Sequence, residues 1–148
     1  MKKVRRILHP TDFSPAGRAA LARAIDMARA EKAELVVAHV LPMVMPMGPD
    51  GYVSPKIFDD IQRATRQQGQ KQLEGVLARA RKAGARARGV LLDGVPASQI
   101  ARAARSQRAD VIVMGTHGRT GFTRLLLGSV AERVVGTAPC PVLTVRGR

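Results

Sequence analysis

Residues 110–130 read DVIVMGTHGRTGFTRLLLGSV, a short apolar run followed at once by a glycine-rich and basic segment. The apolar run contains several β-branched residues and predicts a buried strand. The segment after it holds Gly115 and Gly118, and later the pair Gly128-Ser129. Flexible backbone and positive charge placed directly after a buried strand indicate a loop at the ligand-binding edge of a sheet.

Outward from this stretch, strand and helix patterns alternate along the whole chain. Apolar, β-branched runs predict five strands, at residues 4–10, 34–41, 85–92, 110–114 and 141–145. Helical spacing and Ser-Pro start signals predict four helices, which begin near residues 14, 54, 96 and 129. This alternation is typical of an α/β protein with an open parallel sheet covered by helices on both faces.

Length and composition indicate one domain that spans residues 1–148. Hydrophobic residues make up 45% of the chain, but no apolar stretch approaches the roughly 20 residues that a membrane span needs. The single cysteine, Cys140, excludes an internal disulfide framework and a cysteine-based zinc site. We therefore expect a cytoplasmic protein.

The formal net charge of +14 raises the possibility of a nucleic-acid partner. The basic residues are spread along the sequence, however, and the chain has one Tyr, three Phe and no Trp to stack on bases. The charge pattern therefore favours a solvated, arginine-rich surface, and nucleic-acid binding ranks last among the functions considered.

The glycine-rich segment has the spacing Gly-x-x-Gly, nine residues, then Gly-Ser. Glycines allow tight turns and close approach to a ligand, and a helix that begins at the Gly-Ser pair would point free N–H groups at a phosphate. Arg119 and Arg124 lie between the two glycine pairs and could add positive charge. The segment is therefore a candidate phosphate-binding loop, although the P-loop and Gly-x-Gly-x-x-Gly motifs are absent.

A turn followed by a capped helix is the alternative interpretation of the same segment. Ser129 and Glu132 form a Ser-x-x-Glu pattern, which predicts a capping box and explains Ser129 without any ligand. The two interpretations are compatible, because a hydroxyl can accept a backbone N–H and still donate to a phosphate oxygen.

Five quoted segments make the chain resemble the universal stress proteins of the UspA type. They are ILHPTDFS (7–14), ELVVAHVL (34–41), GVPASQI (94–100), ADVIVMGTHGRTGFTRLLLGSVAERVV (109–135) and APCPVLTV (138–145). The resemblance covers nearly the whole chain, and its glycine pattern matches the ATP-binding branch of that family. It implies a five-stranded, Rossmann-like fold of the adenine nucleotide alpha hydrolase type.

The resemblance also implies a role in stress response, ATP or a related adenine nucleotide as ligand, Mg²⁺ on its phosphates, and a homodimer. Carried over position by position, it places Asp12 near ribose and phosphate and Val40 against adenine. The full predicted nucleotide site consists of Pro10, Thr11, Asp12, Val40, Met114, Gly115, His117, Gly118, Arg119, Gly128, Ser129 and Val130. In the family's sheet order the last strand, Pro141 to Val145, lies at an edge that can pair with a second chain.

Several site residues also have simpler structural interpretations. Asp12 could cap the turn near Ser14, and Val40 and Met114 are core residues by default. His39 lies in an apolar strand and is expected to be a satisfied interior histidine whose ring could still line the site. The three histidines have no spacing that predicts a metal site, so none is expected.

Three functions remain open from the sequence. The first is a nucleotide-binding regulatory protein that acts through conformation or partner binding. The second is a slow ATPase or self-phosphorylating enzyme, for which Asp12 is the only carboxylate that can be placed at the site and His117 the only obvious base. The third, nucleic-acid binding, depends on the net charge alone.

Overall fold

The computed structural model describes residues 2–45, 48–117 and 127–147. Its five strands are β1 (Arg6–Pro10), β2 (Glu34–Leu41), β3 (Arg86–Asp93), β4 (Val111–Gly115) and β5 (Val142–Val145). A short 3-10 turn, Pro15–Gly17, precedes the first of four helices. The helices are α1 (Arg18–Glu31), α2 (Pro55–Lys82), α3 (Pro96–Ser106) and α4 (Ser129–Thr137).

All neighbouring strands pair in parallel, in the order β3-β2-β1-β4-β5. The predicted α/β class, the parallel sheet and the sequence of elements are confirmed. The winding direction reverses at β1, because β2 and β3 lie on one side of it and β4 and β5 on the other. β5 forms one edge of the sheet, as expected from the resemblance.

Two apolar cores cover the two faces of the sheet. Successive residues of β1 point to opposite faces, so that Ile7 packs in the core under α1 and α2, and Leu8 in the core under α3 and α4. Both side chains are fully buried. Strands buried on both faces explain why the sequence reads as continuous apolar runs rather than as alternating ones.

The middle of α2 departs from its sequence pattern at one position. Residues 65–72 show no apolar face in the sequence and are expected to project into solvent, and most of them are exposed. Gly69 is buried, however, because a Cβ at this position would lie only 2.7 Å from Cδ2 of Leu41. The absence of a side chain allows the helix to approach β2 here.

The ladder between β1 and β4 ends early and leaves the carboxyl ends of these strands apart. The last paired residues are Leu8 and Ile112. In this register the next donor to the carbonyl of Val113 would be Pro10, which has no N–H. Nδ1 of the buried His9 ring lies 2.8 Å from that carbonyl oxygen and donates in its place.

None of the helices in the described part of the chain combines the length and the apolar character that a membrane crossing needs.

Candidate functional site

A cavity of about 250 Å³ lies beyond the carboxyl ends of β1, β2 and β4, where the winding of the sheet reverses. Its wall includes three residues that follow or end β1, two residues of β2, and the start of α4. The position is the one that open parallel sheets favour for ligands. The lining residues are Pro10, Thr11, Asp12, Gly17, Ala38, Val40, Pro96, Ile100, Met114, Gly115, Thr116, His117, Gly128, Ser129, Val130 and Ala131.

The structure brings together every predicted site residue that it describes. Ten of them line the cavity: Pro10, Thr11, Asp12, Val40, Met114, Gly115, His117, Gly128, Ser129 and Val130. Gly118 and Arg119 lie outside the described residues, as does Arg124. The segments that meet at this cavity are more than 100 residues apart in the sequence.

The turn after β1 is held by two bonds from side chains to the backbone. The N–H of Phe13 donates to Oγ1 of Thr11 over 3.0 Å, and the N–H of Ser14 donates to Oδ1 of Asp12 over 2.9 Å. The second bond is the local capping role that the sequence offered as an alternative for Asp12. Phe13 has φ of 65°, a left-handed conformation that non-glycine residues seldom adopt. The turn thus presents Thr11 and Asp12 to the cavity in a defined geometry.

His39 stabilises this turn from the opposite face of the sheet. Its Nδ1 lies 2.8 Å from the carbonyl oxygen of Thr11, and its ring packs on Phe13 with 4.2 Å between ring centroids. The prediction of a satisfied interior histidine is therefore correct. The ring does not line the cavity, because the alternation of side chains along β2 points Val40, not His39, toward it.

One part of the cavity is an apolar slot between the sheet and α3. Val40 and Met114 line it from β2 and β4, the two strands that flank β1, and Pro96 and Ile100 line it from α3. Met114 and Ile100 are also buried core residues, so the core and the cavity share these side chains. Such a slot suits a flat, largely apolar group.

Another part of the cavity wall is the first turn of α4. The helix begins at Ser129, and its N-cap is Gly128, which makes no side-chain capping bond. The predicted capping box is therefore wrong, because Ser129 lies one position inside the helix and cannot act as N-cap. The N–H groups of the first turn have no acceptor within the helix and lie at the cavity wall, where they give it a partial positive charge.

Gly128 is required for close contact between this helix start and the end of β4. Its N–H donates to the carbonyl of Thr116 over 2.6 Å, and a Cβ at position 128 would lie 3.0 Å from that oxygen. Its φ of −59° is open to any residue. Gly128 therefore matters through the close approach expected of the glycines from the sequence, and not through an unusual backbone angle. Gly115 likewise has no positive φ.

His117 closes the cavity between β4 and α4. Its Nδ1 lies 2.9 Å from Oγ1 of Thr116, whereas its buried Nε2 has no hydrogen-bond partner within the described part of the chain. A buried ring nitrogen without a partner costs free energy, so this atom is suited to bond a ligand in the cavity.

Sequence reasoning missed six lining residues: Gly17, Ala38, Pro96, Ile100, Thr116 and Ala131. Ala38 could have been found, because it precedes Val40 by two positions and must face the same side of β2. Pro96 and Ile100 carry no such signal, since only the packing of α3 on the sheet brings them to the cavity.

Outside the cavity, the described chain offers neither a reactive thiol nor a cluster of metal ligands. Burial raises the pKa of the Cys140 thiol, and the nearby charge of Asp110 adds to that effect, which disfavours the reactive thiolate. Among residues 2–45, 48–117 and 127–147, no three histidine, cysteine or acidic side chains lie together as a metal site would require.

Fold and cavity together define a Rossmann-like α/β protein with a cavity at the reversal point of a five-stranded parallel sheet. The profile of the universal stress protein family matches residues 3–146, and the chain belongs to this family.

Curated relatives agree with that assignment, and a solved structure shares the fold. The chain is 37% identical to universal stress protein MJ0531 of Methanocaldococcus jannaschii over 142 residues. This match covers 96% of this chain and 82% of the relative. It is 32% identical to universal stress protein YxiE of Bacillus subtilis, over 95% of this chain and 98% of the relative. The structure of UspA from Lactobacillus plantarum superposes with a TM-score of 0.82 at 24% identity, over 99% of this chain and 100% of that one.

Some structural neighbours were solved with adenine nucleotides. A universal stress protein in complex with cAMP has a TM-score of 0.70 and 25% identity, over 99% of this chain and 100% of that one. The Archaeoglobus fulgidus protein in complex with dAMP has a TM-score of 0.68 and 24% identity, over 98% of this chain and 100% of that one.

Proposed function

We propose that this protein binds ATP in the cavity at the carboxyl edge and acts as a regulatory protein in stress response. The observation that carries the proposal is the pairing, in one cavity, of an apolar slot with an uncapped helix start. An adenine nucleotide has the matching halves, a flat base and an anionic phosphate chain. The adenine nucleotides bound to structural neighbours support the same ligand class.

Each half of the cavity would hold one half of the ligand. The base would lie in the slot formed by Val40, Met114 and Ile100, where it is removed from water. The phosphates would lie at the first turn of α4, where backbone N–H groups donate to their oxygens. Nε2 of His117 would supply a further contact to the ligand.

Mg²⁺ would bind in the cavity only together with the nucleotide, because the phosphates would supply most of its non-water ligands. Asp12 is the one carboxylate among the lining residues that the structure describes, and its Oδ1 already accepts the N–H of Ser14. Magnesium in nucleotide sites keeps several waters and is bound through one or two carboxylates and the phosphates. Asp12 would therefore be the protein's contribution, and the metal would partly neutralise the phosphate charge.

The side chains that line the cavity suit a protein that acts through conformational change or partner binding better than a fast enzyme. Phosphoryl transfer needs a positioned nucleophile, a base and carboxylates that hold metal. The described wall supplies one carboxylate, Asp12, and one titratable ring, His117. Nucleotide binding would therefore change how the protein interacts with other molecules. We also propose that the protein is a homodimer joined through β5.

Calorimetric titration tests the proposal directly. The protein is titrated with ATP and, under the same Mg²⁺ concentration, with GTP. We expect saturable binding of one ATP per chain and a clear preference for ATP, because the slot offers apolar contacts and little polar wall for the exocyclic groups of guanine. Equal affinity for the two nucleotides would reject an adenine-selective site.

A further inference from the structure

The amino edge of the sheet is strongly basic. Thirteen Lys and Arg side chains lie at the starts of strands or the ends of helices on this edge, and we call this group the basic pole. Its members are Lys2, Lys3, Arg5, Arg6, Arg29, Lys32, Arg79, Arg81, Lys82, Arg86, Arg88, Arg105 and Arg108. All except Arg6 and Arg88 are classed as exposed.

Parallel topology gathers these residues from five separate parts of the sequence. The amino ends of all strands meet at one edge, and each helix that precedes a strand ends there. In register, Arg6 and Arg86 lie on either side of Glu34. The guanidinium group of Arg6 also bonds the carbonyl of Gln107 at the end of α3, with 2.5 Å between the atoms. These contacts connect the starts of β1, β2 and β3 with the end of α3.

The acidic residues at this edge leave most of the positive charge uncompensated. Glu34 forms ion pairs with Arg6 at 2.7 Å and with Arg88 at 2.9 Å. Asp110 accepts the backbone N–H groups of Arg5 and Arg6. Apart from Glu31, these are the acidic residues that the strand starts and helix ends contribute within the described chain.

Among the described residues, the carboxyl edge carries balanced charge, so the concentration of cations at the amino edge follows from the fold. The described residues at that edge include five acidic side chains, Asp12, Asp50, Asp59, Asp60 and Asp93. They also include five basic ones, Arg18, Lys56, Arg63, Arg66 and Arg146. Within the described ranges, the excess charge therefore lies at the opposite end of the sheet from the cavity.

Helix electrostatics account for only part of the pole. Cations in the last turn of a helix complement its dipole, which explains Arg29, Arg79, Arg81, Lys82 and Arg105. The remaining cations precede or begin strands, or follow the last turn of a helix. The helix dipole does not account for these positions.

We infer that the basic pole binds the phosphate backbone of double-stranded nucleic acid without sequence preference. Arginines outnumber lysines by nine to four in the pole, and the planar guanidinium group suits paired contacts to phosphate oxygens. Such contacts give affinity through release of counterions rather than through reading of bases.

The apolar residues argue against a membrane or a single strand as the partner. The large apolar side chains that are most exposed, Tyr52, Met43 and Met45, lie in the loop at the carboxyl edge. A membrane-binding surface combines basic residues with apolar ones that enter the lipid, and binding of single strands relies on aromatic stacking. Of the described aromatic residues, Phe13, Tyr52 and Phe58 all belong to the carboxyl half of the molecule.

Fluorescence anisotropy with a short labelled duplex of mixed sequence tests the inference, with DNA and RNA duplexes as separate arms. The pole variant carries Arg79→Gln, Arg86→Gln and Arg105→Gln. A control variant, Lys56→Gln with Arg63→Gln and Lys71→Gln, loses the same net charge from exposed positions away from the pole. Thermal melting and ATP titration of both variants check that fold and cavity are intact.

We expect the full chain to bind at least one duplex type at low salt, and the pole variant to lose about tenfold or more in affinity. The slope of log K against log salt should fall by about 0.9 for each phosphate contact removed. The control variant should stay within about threefold of the parent. Absence of duplex binding, an equal loss in both variants, or tighter binding to anionic phosphatidylserine vesicles than to either duplex would overturn the inference.

Discussion

Gly128 lies at the closest approach between the start of α4 and the end of β4. We predict that Gly128→Val strongly weakens ATP binding, because its Cβ would meet the carbonyl oxygen of Thr116 at 3.0 Å and displace the helix start. Loss of a hydrogen bond to a charged phosphate costs about 1.5–3 kcal/mol, which corresponds to roughly tenfold to a hundredfold in Kd. Calorimetry with ATP measures the effect.

Gly136→Val is the matched control for this substitution. Gly136 lies in the same helix, and a Cβ there would meet nothing within 4 Å. This variant should bind ATP like the parent, with an unchanged circular dichroism spectrum. If Gly128→Val folds normally and binds ATP within about threefold of the parent, the glycine does not shape the phosphate site.

His9 is the second residue for which the structure supports a prediction. Burial lowers the pKa of His9 below 6.5, although its bond to Val113 and the charge of Asp12 act in the opposite direction. Well above pH 6.5 the ring is neutral in both folded and unfolded chains. As the pH falls below that value, the unfolded chain binds the proton first, so the free energy of unfolding must decrease.

Denaturant unfolding at several pH values between about 8 and 5 measures this decrease. The variant His9→Asn keeps a side-chain donor but cannot titrate, so its stability should depend less on pH over the same range, even if it is lower throughout. The pKa values of Glu34 and Asp110 are also lowered, from 4.5 and 3.8, so these carboxylates change the free energy of unfolding only at more acidic pH. An identical pH dependence in parent and variant would contradict the assignment to His9.

Gly128 and Ser129 show what can and what cannot be predicted from the sequence at the level of single residues. The spacing of Gly128 and Ser129 correctly predicted a helix start, which the structure places at the cavity, since local patterns encode local geometry. The capping role of Ser129 was wrong by one position, because Gly128 can start the helix through the backbone bond to Thr116. That bond depends on how β4 and α4 pack, and no local pattern records it.

At the scale of elements, the contact between α2 and β3 depends on a glycine in the strand. A Cβ at Gly89 would lie 2.7 Å from Cδ2 of Leu73 and 3.0 Å from Cδ1 of Leu77, and both leucines are buried. We predict that Gly89→Ala destabilises the protein by about 1–3 kcal/mol, because the packed leucines cannot move aside without strain. Denaturant unfolding gives the free energy of unfolding.

Gly75→Ala provides the comparison on the other side of the same helix. Gly75 is exposed and a Cβ there would meet nothing within 4 Å. Alanine in a helix interior is more favourable than glycine by about 1 kcal/mol, so this variant should be slightly more stable than the parent. Destabilisation by Gly75→Ala as large as that by Gly89→Ala would contradict the close packing of α2 on β3.

The elements themselves were largely predictable, because apolar runs and Ser-Pro signals are local. The predicted strand at residues 4–10 proved shorter, beginning at Arg6, since pairing with β2 starts only there. The burial of Gly69 could not be predicted, because a glycine among polar residues carries no sign of which neighbour it touches. Pro96 and Ile100 were missed at the cavity for the same reason.

At the scale of the whole molecule, β5 is an edge strand whose outer side can pair with a second chain. The bonds from Ile112 to Pro141 and from Thr116 to Val145 point the odd-numbered residues of β5 toward β4. The N–H of Thr144 therefore faces outward. We predict a homodimer through this edge, with twice the chain mass of 15.9 kDa by light scattering.

Thr144→Pro should convert this dimer to a monomer, because it removes an outward N–H without removing a donor to β4. Thr144→Val keeps the backbone donor and should remain dimeric. A parent protein that scatters as a monomer at micromolar concentration would contradict the dimer. A dimer that survives Thr144→Pro would place the interface elsewhere.

The distribution of basic residues on the molecule could not be predicted from their positions in the sequence. The basic residues look dispersed along the chain, and nucleic-acid binding therefore ranked last. In the fold, strand starts such as Arg6 and Arg86 and helix ends such as Arg105 meet at one edge. Parallel topology converts a dispersed pattern into a concentrated one, and only knowledge of the strand order reveals it.

The central claim, that the cavity holds an adenine nucleotide, is tested most directly by the ligand that the protein itself retains. Gently purified protein is denatured, and the released small molecules are analysed by mass spectrometry. We predict ATP or a related adenine nucleotide in an amount that approaches one per chain. Release of a compound without an adenine ring, or of no ligand from a protein that also fails to bind added ATP, would contradict the account.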